Sequence, residues 1–181
     1  MTELYLAYGS NLNKRQMRMR CPTATPLGKV TLTGAKLVFR VYADLDLIAG
    51  AEVPCGLWRI NRADEKALDK YEGEGTKRGY YKEKILIRYA GREREALLYM
   101  MTKGEGIAPP TQEYAQVIRD GYQDFKLENK YLNAALRHSW EAKEHTDITV
   151  SRRKRALHKS SRGIIQMPES VRLRRQLIAS Q

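Results

Sequence analysis

Cysteine is scarce, with Cys21 and Cys55 the two in 181 residues. Two thiols cannot build a disulfide framework or a complete structural zinc site, and neither lies in a C-x-x-C spacing. Buried, reduced thiols are the expected state of both. Long apolar runs are missing as well. No window approaches the ~18 residues of a membrane span, so no membrane partner is expected. The first residues carry neither the basic segment nor the apolar stretch of a secretory signal, and a cytoplasmic location follows as the expectation. The histidines, His138, His145 and His158, lie late in the chain and are not spaced for a metal. No metal and no cofactor are expected. Ser10 has no sequence partner that suggests a nucleophilic triad, and no nucleophile elbow is present.

Acidic residues are nearly absent from one end. From Ser151 to Gln181 nine Lys and Arg face the single acid Glu169, which places +8 of the formal +12 charge there. The body that remains carries an ordinary +4. Clustered basic residues favour phosphate backbones by counterion release, so nucleic-acid contact through residues 151–181 is one reading of this stretch. It also lacks any aromatic on which a base would stack. The other reading is a solvated basic extension, partly disordered or helical. Phe and Trp are few, two each, against 11 Tyr. Tyrosines can wall a pocket and still offer a hydroxyl.

What is present reads as strands first and helices late. Leu4–Tyr8 is a buried strand that stops at Gly9. Asn13 to Gln16 has the capping-box form, and a helix through about Arg20 follows. It ends before Cys21-Pro22, because the residue before proline resists helix. Gly28–Tyr42 and Ile48–Ile60 are strand-like, with a break at Gly34 and a bulge or edge at Pro54. Asn61–Tyr71 reads as a helix that ends just before Gly73. Tyr80–Tyr89 and Arg94–Thr102 form a hairpin across Ala90-Gly91-Arg92. Helices are expected over about Gln112–Phe125 and Glu128–Glu141, and a short amphipathic one over Ser170–Ile178. This order predicts an α+β fold with a curled sheet or barrel. The boundary falls near Lys143–Thr149, giving a domain over residues 1–145 and a basic extension over 146–181.

Two features carry chemistry. The strand–turn–helix junction at Gly9-Ser10-Asn11 can aim several backbone N–H groups at one point, beside the positive end of a helix. That makes a receptor for a carboxylate or phosphate. Equally, Gly, Ser and Asn suit such a turn for conformational reasons alone. The turn lacks the Lys of a Walker loop and the third Gly of a dinucleotide fingerprint. Glu72 closes a helix next to Gly73. It reads either as a solvent-facing helix end, the commoner place for Glu, or as a carboxylate pointed across a cavity. Apolar and Tyr neighbours would raise its pKa and make it a proton shuttle.

Taken together, Tyr8-Gly9-Ser10-Asn11-Leu12, Met19-Arg20-Cys21-Pro22 with Ala24 and Gly28, Gly56-Leu57-Trp58-Arg59-Ile60, Leu68-Asp69-Lys70-Tyr71-Glu72-Gly73 and Tyr81-Lys82 resemble the γ-glutamylcyclotransferase-like (AIG2-like) family. The likeness covers about Leu4 to Thr102. Pro110–Leu136, with Tyr131-Leu132, is similar to the family's C-terminal part.

The resemblance implies a small mixed β-barrel with flanking helices. It implies that the loop of Tyr8, Gly9, Ser10, Asn11 and Leu12 binds the α-amino-acid end of a γ-glutamyl substrate, with Tyr81 and Tyr131 as further contacts. It implies that Glu72 is the acid/base, with Glu74 two residues away as the alternative register. The reaction so implied is release of 5-oxoproline from a γ-glutamyl amide or peptide. The substrate's own α-amine is the nucleophile, so neither an enzyme nucleophile nor a metal is required. The leaving amine would be read by Asp44–Gly50 and Thr102–Pro109, taken as loops. A second function class stays open: a non-catalytic member of the fold that binds a small ligand while its tail binds nucleic acid or an acidic partner.

Overall fold

The computed structural model describes residues 2–76, 79–102 and 106–162. The chain divides into two compact units, Met1–Lys143 and Glu144–Gln181. The first unit holds all of the described strands, β1 Thr2–Ala7, β2 Thr25–Arg40, β3 Tyr42–Asn61, β4 Tyr80–Tyr89 and β5 Arg92–Met101. Its helices are α1 Lys14–Arg20, α2 Arg62–Glu72, α3 Gln112–Asp124 and the first turns of α4, which spans Asn129–Arg162. A single 3₁₀ turn, Ser10–Leu12, links β1 to α1.

The strands make one mixed sheet in the order β2-β3-β1-β5-β4, and the fold is α+β. β1 sits in the middle, antiparallel to β3 from Thr2↔Asn61 to Ala7↔Gly56 and parallel to β5 at Tyr5↔Leu97. A central strand delivers the segment after it to the middle of the fold, which is how the Gly9 turn comes to be walled on several sides. The sheet is curled but open. β2 and β4 approach each other without forming a ladder among the described residues. Side chains bridge the curl instead: Tyr80 Oη donates to the Ala43 carbonyl at 2.7 Å, and Asp44 Oδ1 accepts from Met101 N at 3.1 Å. Leu6, Leu57 and Leu98 from the sheet pack with Met17, Leu68 and Ile118 from the helices in one buried core. Each such side chain contributes about 1.5–3 kcal/mol when fully buried.

The β2–β3 hairpin differs from the sequence expectation. Asp44–Gly50 is strand rather than loop, since Tyr42–Leu47 pairs back onto Ala35–Arg40. One of the hairpin's two irregularities falls at Gly34, as expected, where Thr33↔Glu52 gives way to Ala35↔Leu47; the other lies between Pro26 and Gly28. Pro54 pairs with Thr31 beyond the end of β1, so β3 has a strand on one side only there, a setting that tolerates proline. The turn itself has no Gly, Asn or Asp. Val41 occupies it at φ 69°, an unusual place for a β-branched residue. Val41 N donates to Ala108 O at 3.1 Å and Ala108 N donates to Phe39 O at 2.9 Å, so outside partners hold the turn.

Helix α4 also runs past the expected end near Glu141. Residues 137–162 contain neither Gly nor Pro and are rich in Lys and Arg, so no helix breaker stops the helix. The expected helix over Ser170–Ile178 lies outside the described residues. Among the described residues no helix is long and apolar enough to cross a membrane.

Candidate active site

Glu72 ends α2, and the chemistry of that helix fixes where its side chain goes. Asn61 accepts from the N–H groups of Ala63 and Asp64, while Asp64 accepts from Asn61 N, so the start is capped reciprocally. Gly73 ends the helix at φ 64°, ψ 38°, a left-handed conformation that costs glycine nothing, and its N–H returns to Asp69 O. The chain turns away, and the Glu72 carboxylate is left facing a narrow cleft.

Five phenols surround that cleft: Tyr5 from β1, Tyr8 just after it, Tyr80 from β4, Tyr99 from β5 and Tyr114 from α3. Gly9, Ser10 and Asn11 also line it, with Ala43 packed against Gly9. The phenols are tied down. Tyr8 Oη donates to Tyr99 O at 2.6 Å. Tyr114 Oη accepts from Ala43 N at 3.3 Å, while Tyr80 takes the Ala43 carbonyl, so one peptide group is held from both ends. Burial raises the pKa of all five phenols. They stay neutral near pH 7. A wider mouth opens past Tyr42, Tyr71 and Met101.

Asn11 connects the loop to the carboxylate. Its Nδ2 donates to Glu72 Oε1 at 2.7 Å and to Tyr5 Oη at 2.8 Å. Desolvation pushes the Glu72 pKa up to about 7, against the opposing pull of the Asn11 hydrogen bond and the Arg20 charge. Loss of hydration outweighs both. A carboxyl group poised at that value can accept and return a proton at neutral pH. Within the turn, Leu12 N donates to Gly9 O and Asn13 N to Ser10 O, both at 3.0 Å. Ser10 N and Asn11 N have no acceptor among the described residues.

The structure thus brings together Glu72, Tyr8, Gly9, Ser10 and Asn11. Leu12 is fully buried and faces the core, not the cleft. Tyr81 is on the opposite face of β4 from Tyr80, with its hydroxyl against Met100 Sδ at 3.8 Å. Tyr131 on α4 hydrogen-bonds Glu52 and does not line the cleft. Glu74 is exposed in the turn after Gly73. Gln16 does not complete the expected capping box. Asn13 Oδ1 does accept from Gln16 N at 3.0 Å, but the Gln16 side chain accepts from Arg20 Nη2 at 2.5 Å. Arg20, Tyr5, Tyr80, Tyr99 and Tyr114 were not anticipated. The Gln16–Arg20 spacing of one helical turn was the available signal for Arg20. Strand parity was the signal for Tyr80 over Tyr81.

The described residues contain no group of three or more His, Cys, Asp or Glu placed to hold a metal ion. The profile of the family described as "Gamma-glutamyl cyclotransferase, AIG2-like" matches residues 5–123. That span contains the whole cleft. The chain is 33% identical to the mouse gamma-glutamylcyclotransferase over 145 residues, covering 72% of this chain and 75% of that one. It is 31% identical to the human gamma-glutamylcyclotransferase over 142 residues, covering 71% and 74%. A solved structure titled "Gamma-glutamyl cyclotransferase" superposes with a TM-score of 0.67 at 26% identity, covering 75% of this chain and 86% of that one. With the fold, the loop and the profile in agreement over these residues, the chain belongs to the γ-glutamyl cyclotransferase, AIG2-like family.

Proposed function

We propose that the chain releases 5-oxoproline from a γ-glutamyl amide or peptide, with Glu72 as general base and then general acid. The observation that carries this reading is the partly desolvated Glu72 carboxyl beside the Ser10–Asn11 turn. Its Oε1 is occupied by Asn11, while Oε2 has no partner among the described residues. The free N–H groups of Ser10 and Asn11 anchor the substrate's α-carboxylate, and its α-ammonium then lies toward Glu72.

Glu72 removes one proton from the ammonium. The freed amine nitrogen attacks the γ-carbonyl carbon, a C–N bond forms, and the carbonyl π electrons move to oxygen. Collapse breaks the original amide C–N bond as Glu72 returns its proton to the departing nitrogen, and the ionised Glu72 then takes the second proton from the ring nitrogen and passes it to the released amine. The products are 5-oxoproline and the amine in its ammonium form, and no water is consumed. A substrate held in its cyclising conformer gains much of the rate by proximity. Removing a donor from a site of developing negative charge costs about 3 kcal/mol.

We assign the activity to residues 1–145 and none of it to the basic extension. The test is 5-oxoproline release from a panel of γ-glutamyl compounds. Wild type should be active, Glu72→Gln should lose about 10²–10⁴-fold in kcat, and Glu74→Gln should match wild type. Deletion of Ser151–Gln181 should leave turnover unchanged. Full activity in Glu72→Gln would overturn the catalytic assignment.

A further inference from the structure

An asparagine amide can present either its oxygen or its nitrogen to a neighbour, and its surroundings decide which. If Asn11 turned its oxygen toward Glu72, two acceptors would face each other. The orientation seen has Nδ2 on Glu72 Oε1 and Oδ1 turned away, where Arg20 Nη1 donates to it at 2.5 Å. Arg20 has only donors. It therefore admits one orientation of the amide.

Arg20 is itself immobilised. Its Nη2 donates to Gln16 Oε1 at 2.5 Å and to Tyr71 Oη at 2.7 Å, and its guanidinium stacks on the Tyr71 ring at 3.7 Å. Tyr71 directly precedes Glu72 on α2. The guanidinium thus reaches the carboxylate's two neighbours, Asn11 through space and Tyr71 through the chain. We infer that Arg20 is a positioning residue of this site, locking the Asn11 amide so that the Glu72 carboxylate is held in one place. The inference rests on the reading of Glu72 as the proton carrier. Lysine would not substitute, because a point charge cannot bind Asn11, Gln16 and the Tyr71 face with one planar fork.

The other titratable groups facing Glu72 are Tyr5 of β1, Tyr8 just after it, Tyr80 of β4 and Tyr114 of α3, all neutral near pH 7. Movement of the Glu72 titration in an Arg20 variant therefore reports on Arg20 and Asn11. The experiment is a carboxyl-¹³C NMR titration of the full chain, with the Glu72 signal assigned by its loss in Glu72→Gln. Kinetics on the γ-glutamyl panel accompany it. Arg20→Met should raise the Glu72 midpoint by about half a unit to one unit. It should lower kcat about 10- to 100-fold. Asn11→Ala should behave similarly, and the double variant should lose little beyond Asn11→Ala alone, because the two act through one another. Arg20→Lys should recover most of the midpoint and little of kcat. It carries the test if Arg20→Met does not fold.

An unmoved midpoint in folded Arg20→Met, or additive losses in the double variant, would overturn the inference. Full kcat in Arg20→Lys would do the same. If wild type releases no 5-oxoproline while the midpoint still moves with Arg20, the function proposed above fails and the positioning role stands.

Discussion

Tyr99 Oη donates to Asp69 Oδ1 at 2.6 Å, which ties the floor of β5 to α2 one helical turn before Glu72. Asp69 also takes Lys82 Nζ at 3.0 Å, and the Tyr99 carbonyl receives the Tyr8 hydroxyl. Tyr99 is buried, so its hydroxyl depends on that acceptor. Asp69→Ala should destabilise the protein by about 1–3 kcal/mol, the cost of a buried donor left without a partner. Asp69→Asn keeps an acceptor and should cost less. Urea unfolding of both variants checks the order. Equal midpoints for the two would show that Asp69 does not hold Tyr99.

With Glu72 as the proposed proton carrier, the pH dependence of turnover should follow from its carboxyl group. Removal of the substrate proton needs its ionised form, so kcat/KM should rise with pH through an acid limb near 7. In the complex the substrate's ammonium favours the carboxylate. The limb in kcat should therefore lie at lower pH than the limb in kcat/KM. Glu72→Gln should show no such limb in its residual rate. Steady-state rates between pH 5 and pH 9 decide the matter, and coincident limbs in the two profiles would mean that substrate does not bring its cation to Glu72.

Stability should respond to the same group in the opposite sense. The folded-state pKa near 7 lies above the ordinary value of 4.5. Below about 4.5 the group is protonated in both states and favours neither. As pH rises from 4.5 to 7 the unfolded chain ionises first, the folded state holds more protons, and stability falls. Above 7 the loss is complete at about 3 kcal/mol. Glu72→Gln keeps an acceptor for Asn11 without this penalty. It should be more stable than wild type at pH 8 and close to it at pH 4.5, as read by urea unfolding. Parallel pH curves for the two proteins would mean that Glu72 is well hydrated.

Much of this site was written locally in the chain. Gly73 after Leu68–Glu72 fixed the helix end, and Asn13 and Asn61 fixed two helix starts, because caps and glycines act within a few residues. The Gly9–Asn11 turn was visible for the same reason. The residues that surround Glu72 were not. Tyr80 and Tyr81 are adjacent and chemically identical, and their sides were decided by the pairing of Tyr80 with Met101 and the nearness of Ala43, neither of which is local. The β2–β3 turn at Val41 carries no turn residue, because Ala108, far along the chain, supplies its hydrogen bonds. Arg20 was hidden behind Gln16, whose spacing from Asn13 suggested a cap while its side chain served the guanidinium.

The position of the loop also depends on a contact outside the cleft. Helix α3 packs against the 3₁₀ turn through Gly121, where an added Cβ would lie 2.5 Å from Leu12 Cβ and 2.8 Å from Asn13 N. Two of the three nearest atoms are backbone, so the clash cannot be relieved by a side-chain rotation. Gly121→Ala would gain helix propensity of about 1 kcal/mol, and overpacking opposes it with about 1–3 kcal/mol or more. The backbone contact makes the second effect the larger, so net destabilisation is expected. The shift also falls on Leu12 and Asn13, directly after Ser10 and Asn11, which line the cleft. Gly121→Ala should therefore raise KM for γ-glutamyl substrates more than it lowers kcat, since it moves the anchor and leaves α2 in place. Gly91→Ala serves as the contrast, because its Cβ would meet nothing within 4 Å and the strain of its φ of 75° is confined to the β4–β5 turn. That variant should lose stability and keep its KM. A raised KM in both variants would mean that general loosening, rather than displacement of the loop, controls substrate binding.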